Sequence, residues 1–517
     1  MAYRAVAIKR WPGMVAAALV AAIVLGTLLA VTLRAEAGRG LGPSEWAAIR
    51  FTILQAVISA AISVALAVPV ARALARRRFF GRRILITLLG APFILPVIVA
   101  VMGLLAVFGR SGVLNVALRW LGLPEMQVYG FHGVVLAHVF FNLPLASRLI
   151  LQGWQDIPAE RFRLAAQLGF GPRDIWRVLE RPMLRRVLPG AAAVIFAICL
   201  SSFAVALTLG GGPKATTVEL AIYQAFRFDF DLGRAALLSC VQILLVGTAA
   251  LLALRLSGRD SFGAGMDRQL QRWDAQSRAL RVTDAACIML AALFLVLPIG
   301  LVLAKGLPGL PQLPVTVWRA AGVSLIVALV STVLMLVFAL PMAVAAAAGR
   351  GRLEAAGLLG IAASPLVIGT GLFIVIHPIA DPFAFAFPVT AVVNAIMALP
   401  FALRIMVPAV RDTVQSYGQL SATLNLSGIT WLRLVLIPRI RGTLGFACGL
   451  TAAMSMGDLG VIALFADPEH ATLPLQMYRL MGAYQLQAAA GAAVLLLVLS
   501  FGLFWLMDKG GRGHAEA

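Results

Sequence analysis

Runs of about twenty apolar residues recur along the whole chain, and no other feature limits its fold as severely. Twelve can be placed, at 14–33, 52–71, 84–108, 130–151, 190–209, 235–254, 284–304, 320–346, 355–376, 386–408, 443–465 and 488–507. A helix of that length crosses the hydrocarbon of a bilayer while bonding every backbone N–H and C=O within itself, which an irregular segment cannot do. Apolar residues make up 61% of the 517, above the roughly 45–50% of a soluble domain. The expected fold is all-α and integral to a membrane, with about twelve transmembrane helices.

A formal charge of +21 raises the question of nucleic acid, but a nucleic-acid domain gathers its basic residues on a folded soluble face. Here they lie between the apolar runs. With the N-terminus in the cytoplasm, 32 of the 43 Lys and Arg fall in cytoplasmic segments, Arg76-Arg77-Arg78 and Arg82-Arg83 among them. The positive-inside rule then predicts cytoplasmic termini in a multi-pass protein of the bacterial inner membrane. The first run follows Arg4, Lys9 and Arg10 as a signal peptide would, but it is too long and lacks a small-x-small cleavage site, so it reads as a span. Cys199, Cys240, Cys287 and Cys448 are isolated and point to neither a disulfide framework nor a metal site.

The chain repeats itself. Adding 256 carries Pro144, Arg148, Asp156, Leu164, Leu168, Arg177 and Pro182 onto Pro400, Arg404, Asp412, Leu420, Leu424, Arg433 and Pro438. Upstream the offset is 272, joining Ser59 to Ser331 and Pro69 to Pro341; downstream it is 255, joining Tyr223 to Tyr478 and Pro213 to Pro468. Six spans per copy is an even number, so the copies are parallel and related by an axis along the membrane normal, with a path expected at their junction. The domain reading is 1–50 as an N-terminal segment with the first helix, 51–256 as the first repeat core, 257–317 as a linker with the seventh helix, 318–507 as the second core, and 508–517 as a cytoplasmic tail. The linker is arginine-rich and holds Gly258, Gly263 and Gly265.

Two long cytoplasmic segments, 152–189 and 409–442, occupy the same place in each copy. In the first, Ile157-Pro158 leads into a short amphipathic helix, Glu160 to Leu168, stopped by Gly169; Gly171-Pro172 turns the chain, and a second helical stretch ends at Arg181-Pro182. A surface helix with small residues on one face suits docking into a groove on a soluble partner. The segment resembles the "EAA" loop of ABC-importer permeases, with Arg163, Ala165, Ala166, Gly169 and Pro182 on the pattern's places, although Arg163-Leu164-Ala165 lacks its acid. In the second copy Ser421, Ala422, Asn425 and Pro438 hold those places, and asparagine is the natural substitute for a glycine in left-handed backbone. The resemblance implies two type I ABC-importer permease repeats fused in one chain. No Gly-x-x-x-x-Gly-Lys-Ser/Thr run is present, so ATP hydrolysis is expected on a separate, dimeric ATPase and no catalytic residue, metal or cofactor is expected here. Gly210-Gly211-Gly212 falls outside the membrane and reads as a turn rather than a phosphate loop.

Residues 209–224 and 457–465, followed by Thr472-Leu473-Pro474, Tyr478 and Tyr484, look like the corresponding segments of thiamine transporter permeases. That resemblance implies import of thiamine and its phosphates from a periplasmic thiamine-binding protein. Fused ferric-iron permeases share the architecture and stay open as an alternative. Polar groups inside spans tend to face a bundle interior or water. Two repeat-related pairs stand out, His138 with Asn394 and Ser202 with Asp458. Asp458, the one acid placed inside a span away from its ends, is expected either to line the path of a cationic substrate or to serve as a structural carboxylate at a helix end. His138 and Asn394 read as interhelical hydrogen-bonding groups ahead of path-lining ones, and Pro92, Pro96 and Pro365 as kinks in packed helices. A secondary carrier would share the six-plus-six repeat, but it needs buried groups for a coupling ion and leaves the repeated loops unexplained.

Overall fold

The computed structural model describes residues 10–512 apart from 37, 39, 91–93, 213–214, 257–275, 350–352, 354–355, 358, 361–362 and 466–470. Pro92, Pro213, Pro468 and the glycines of the expected linker lie outside the described residues. No strand occurs among those described. The helices are α1 (Trp11–Arg34), α2 (Pro43–Arg76), α3 (Arg82–Leu88), α4 (Val97–Phe108), α5 (Val113–Trp120), α6 (Phe131–Gln155), α7 (Ala159–Gln167), α8 (Pro172–Ile175), α9 (Arg181–Leu200), α10 (Ala204–Leu209), α11 (Val218–Arg227) and α12 (Leu232–Leu256). The second half continues with α13 (Arg278–Gly306), α14 (Val315–Ala347), α15 (Pro365–Ile376), α16 (Ala386–Thr423), α17 (Gly428–Trp431), α18 (Ile437–Met456), α19 (Gly460–Phe465), α20 (Leu473–Gly482) and α21 (Leu486–Arg512). Eleven helical stretches among the described residues are long and apolar enough to cross a bilayer, and the shorter apolar α15 stands at the ninth predicted span, 355–376.

The halves correspond element by element. Helix α2 packs on α6 and α9 as α14 packs on α16 and α18, and α12 lies on α9 as α21 lies on α18. The first helix of each half departs from this pattern by crossing to the other: α1 packs on α14 and α15, and α13 on α2 and α4. The crossing depends on glycine, because lipid tails are as apolar as side chains and close backbone approach has to hold such contacts together. A Cβ on Gly103 of α4 would lie 2.8 Å from the Pro298 carbonyl oxygen of α13, and one on Gly371 of α15 would lie 2.6 Å from the Thr27 carbonyl oxygen of α1. Gly103 and Gly371 hold the same place in α4 and α15.

Three expectations need correction. The predicted spans 84–108, 190–209 and 443–465 are each interrupted, the first between Leu88 of α3 and Val97 of α4, the others at 201–203 and at 457–459. Pro96 and Pro365 do not kink helices but start them, as the residue before α4 and the first residue of α15, where a missing N–H costs nothing. The helix expected to end at Arg181-Pro182 instead runs on from Pro172 to Leu200.

Candidate functional site

At the end of the bundle that carries 152–189 and 409–442, here the basic end, each half presents the same turn. Leu168, Gly169 and Phe170 donate their N–H groups to the carbonyls of Leu164, Ala166 and Ala165; Leu424, Asn425 and Leu426 do the same toward Leu420, Ala422 and Ser421. These are Schellman caps, which require a left-handed residue at the turn. Gly169 has φ +69° and Asn425 has φ +51°. Ala165 and Ser421 are buried beneath the turns, while Ala166, Ala422 and Arg163 are exposed. Beside them two leucines per half stand out in the open: Leu164 (56% exposed) and Leu168 (61%), Leu420 (55%) and Leu424 (60%).

The halves differ in how they reach the turn. Ile157-Pro158 separates α6 from α7, whereas Val414 occupies the place of Pro158 and α16 runs unbroken over 38 residues into its turn. The residue before a proline is pushed out of helical backbone, and the second half lacks that restriction. Beyond the turn the halves agree again. Trp176–Glu180 and Leu432–Leu436 are π-helical, with the N–H of Arg181 reaching the Trp176 carbonyl and that of Ile437 reaching Leu432. Pro182 and Pro438 follow directly. Each lacks the N–H for an ordinary α-helical bond and its ring crowds the preceding turn, so a wider turn keeps the helix continuous. Sequence patterning shows only the prolines; the widened turn is a response to them in three dimensions.

Deeper in the bundle, repeat-related polar groups tie three helices together in each half. His138 Nδ1 of α6 lies 3.4 Å from Ser59 Oγ of α2, and Asn142 of α6 donates to Cys199 Sγ of α9 at 3.3 Å. In the other half Asn394 of α16 donates to Ser455 of α18 at 3.0 Å, and Ser455 lies 3.0 Å from Ser331 of α14. His138 and Asn394 thus make interhelical bonds. Ser202 and Asp458 sit in the two helix interruptions, and these meet across the junction: a Cβ on Gly460 would lie 3.9 Å from the Phe203 ring and one on Gly457 would lie 3.1 Å from Pro96. Asp458 Oδ1 accepts from the Gly460 N–H at 3.1 Å, at the start of α19, and Asn394 lies near this carboxylate. The four residues singled out from sequence therefore fall into one neighbourhood only in part: Asn394 lies near Asp458, whereas His138 stays with Ser59.

One acid escaped the sequence reading. Glu219 of α11 is fully buried, accepts from Gln242 of α12 at 2.8 Å and lies close to Ser364, which caps α15 of the other half. It lies beyond the apolar runs in the sequence, so hydropathy assigned it to solvent; only the folding back of α11 buries it. Nearby, at the end opposite the basic one, residues of both halves line a cavity of 630 Å³, including Phe226, Phe373, His377, Asp381 and Phe383.

Two equivalent bundles that meet at broken helices are the architecture of a multi-pass membrane permease. Relatives are similar over almost the whole chain. The thiamine transport system permease protein ThiP of Salmonella typhimurium strain LT2 is 39% identical over 522 residues, covering 98% of this chain and 97% of its own. The protein of the same name from Escherichia coli strain K12 is 39% identical over 517 residues, covering 96% of each chain. The sulfate transport system permease protein CysW of Synechococcus elongatus is 26% identical over 226 residues, which is 41% of this chain and 76% of its own. No family model matches. The chain belongs to the family of thiamine transport system permease proteins.

Proposed function

We propose that this chain is the membrane-spanning subunit of an ATP-driven importer that moves thiamine and its phosphates from a periplasmic binding protein to the cytoplasm. The observation that carries the coupling is the repeated turn at the basic end, with Gly169 and Asn425 in left-handed backbone and a pair of bared leucines beside each. Exposed apolar side chains at the same place on two halves suit two copies of one soluble partner, a dimeric ATPase. The basic end is then cytoplasmic, both termini lie there, and the membrane is the bacterial inner membrane. Residues 51–256 and 318–507 act as the two cores, which rock about the junction while ATP drives the partner dimer. The cavity at the opposite end, walled by Phe226 and Phe373 with Asp381 at hand, suits an arriving aromatic cation. Ser202 and Asp458, at the facing interruptions, line the path with His138 and Asn394 behind them.

Two tests follow. Leu164→Glu combined with Leu420→Glu is expected to leave membrane abundance unchanged and to weaken co-purification of the ATPase at least tenfold, or about 1.4 kcal/mol; full retention would remove these faces from the docking surface. Asp458→Asn is expected to lower ATP-dependent uptake of labelled thiamine about tenfold at normal abundance and normal ATPase docking. Unchanged uptake would leave Asp458 only its bond to the Gly460 N–H. In wild-type vesicles with ATPase and binding protein, uptake of ferric iron but not thiamine would replace the substrate, and gradient-driven uptake without ATPase would replace the class.

A further inference from the structure

The two halves are held differently just behind their turns. Glu180, the last residue of the first π-helical turn, is fully buried. Its carboxylate accepts from Arg72 Nε of α2 at 2.8 Å and lies 2.6 Å from Arg72 Nη2; Arg76 Nη2 stands 3.8 Å away, and Trp154 Nε1 at the end of α6 donates to it at 3.2 Å. The Arg72 guanidinium also covers the Trp176 ring at 4.4 Å. Arg76 reaches in the other direction to Asp284 of α13 at 3.7 Å, and Arg77 pairs with the same carboxylate at 2.7 Å. Asp284 belongs to the second half, since α13 is that half's crossing helix. A continuous chain of charge therefore runs from the first turn through α2 to the other repeat.

The second half cannot build this chain. At the places of Arg72, Trp154 and Glu180 stand Val344, Val410 and Leu436, all buried. There the Arg439 guanidinium lies over the Tyr417 ring of the same half at 4.4 Å. The comparison is informative because the same fold is met twice in one chain. Buried ion pairs seldom stabilise more than well-packed apolar residues of similar volume, and here the apolar solution exists at equivalent positions. Charges in the first half therefore do something apolar packing does not: they fix direction and bind separate helices to one point.

We infer that Glu180 is a positioning residue which latches the first coupling turn to α2 and, through Arg76 and Asp284, to the crossing helix of the opposite repeat. A pull on the first turn thereby moves both halves, whereas a pull on the second turn moves its own. The inference rests on the import reading above. Its test is the double variant Arg72→Val with Glu180→Leu, which copies the arrangement of the second half, placed in vesicles with the partner ATPase and binding protein. Membrane abundance and ATPase docking are expected to match wild type, because the turn and its leucines are untouched. The ratio of thiamine imported to ATP hydrolysed is expected to fall at least fivefold, and Glu180→Asp, which keeps the carboxylate, is expected to recover part of it. A purely structural role would change abundance and leave the ratio alone. Should the double variant fail to accumulate, Asp284→Asn, which removes the charge on α13 that Arg76 and Arg77 pair with and leaves Glu180 with Arg72, carries the same expectation. An unchanged ratio in the variant that accumulates overturns the latch. Wild-type vesicles that import no thiamine with ATP overturn the import reading instead.

Discussion

Gly169→Val is expected to abolish ATP-driven uptake while leaving the chain in the membrane. Gly169 sits at φ +69° with no atom within 4 Å of where a Cβ would point, so backbone strain is the whole effect and no clash clouds it. Forcing a β-branched residue into left-handed backbone costs about 1–3 kcal/mol. The turn is small and exposed, so it yields locally: the bonds from Gly169 and Phe170 to Ala166 and Ala165 break, and Leu164 and Leu168 lose their fixed placement. Uptake and ATPase co-purification should both fall at least tenfold. Gly169→Asn should retain most of both, because the other half already carries asparagine in that conformation at position 425. Asn425→Gly should be close to neutral, and Asn425→Val should repeat the valine phenotype. Full activity in Gly169→Val would disconnect the turn from coupling.

The second large effect is on assembly of the bundle. Gly103→Ala and Gly371→Ala each introduce only a methyl group, yet it would meet a backbone carbonyl oxygen at 2.8 Å or 2.6 Å on the crossing helix. Backbone cannot rotate aside as a side chain does. Overpacking of this kind costs about 1–3 kcal/mol per site, a large share of an ordinary stability of roughly 5–15 kcal/mol when both sites are changed. The double variant should accumulate poorly and lose its folded form in detergent at a markedly lower temperature. Gly300→Ala on α13 is the control, since a Cβ there meets nothing within 4 Å and alanine favours a helix by about 1 kcal/mol over glycine. Equal thermal stability of the double variant and the control would mean that α1 and α13 are not locked to the opposite halves.

Much of this molecule is local and so is legible in its sequence. Membrane spans follow from hydropathy because the solvent is lipid and each helix must close its own hydrogen bonds. Two fused copies follow from the fixed offsets, and the left-handed turn at Asn425 follows from what a Schellman cap asks of one residue. Pro158 announces a break that Val414 does not. Proline positions 182 and 438 are plain in the sequence, but whether a helix ends there or widens into a π-turn depends on how the following span is held.

The remainder belongs to tertiary structure. Hydropathy cannot say which helix packs on which, because lipid and protein interior are equally apolar; backbone approach at Gly103 and Gly371 decides that α1 and α13 cross over. It cannot say that Glu219 is buried or that Asp458 binds the start of α19, since both depend on chain folding back on itself. Nor can any spacing rule join Arg72, Glu180 and Asp284, which lie up to 212 positions apart and meet only where two repeats interlock. Most spans, the duplication and the turn residues are written in the linear chain, each a property of a short segment in its solvent. Which segments touch is settled in three dimensions, because burial and pairing of charge depend on partners distant in the chain.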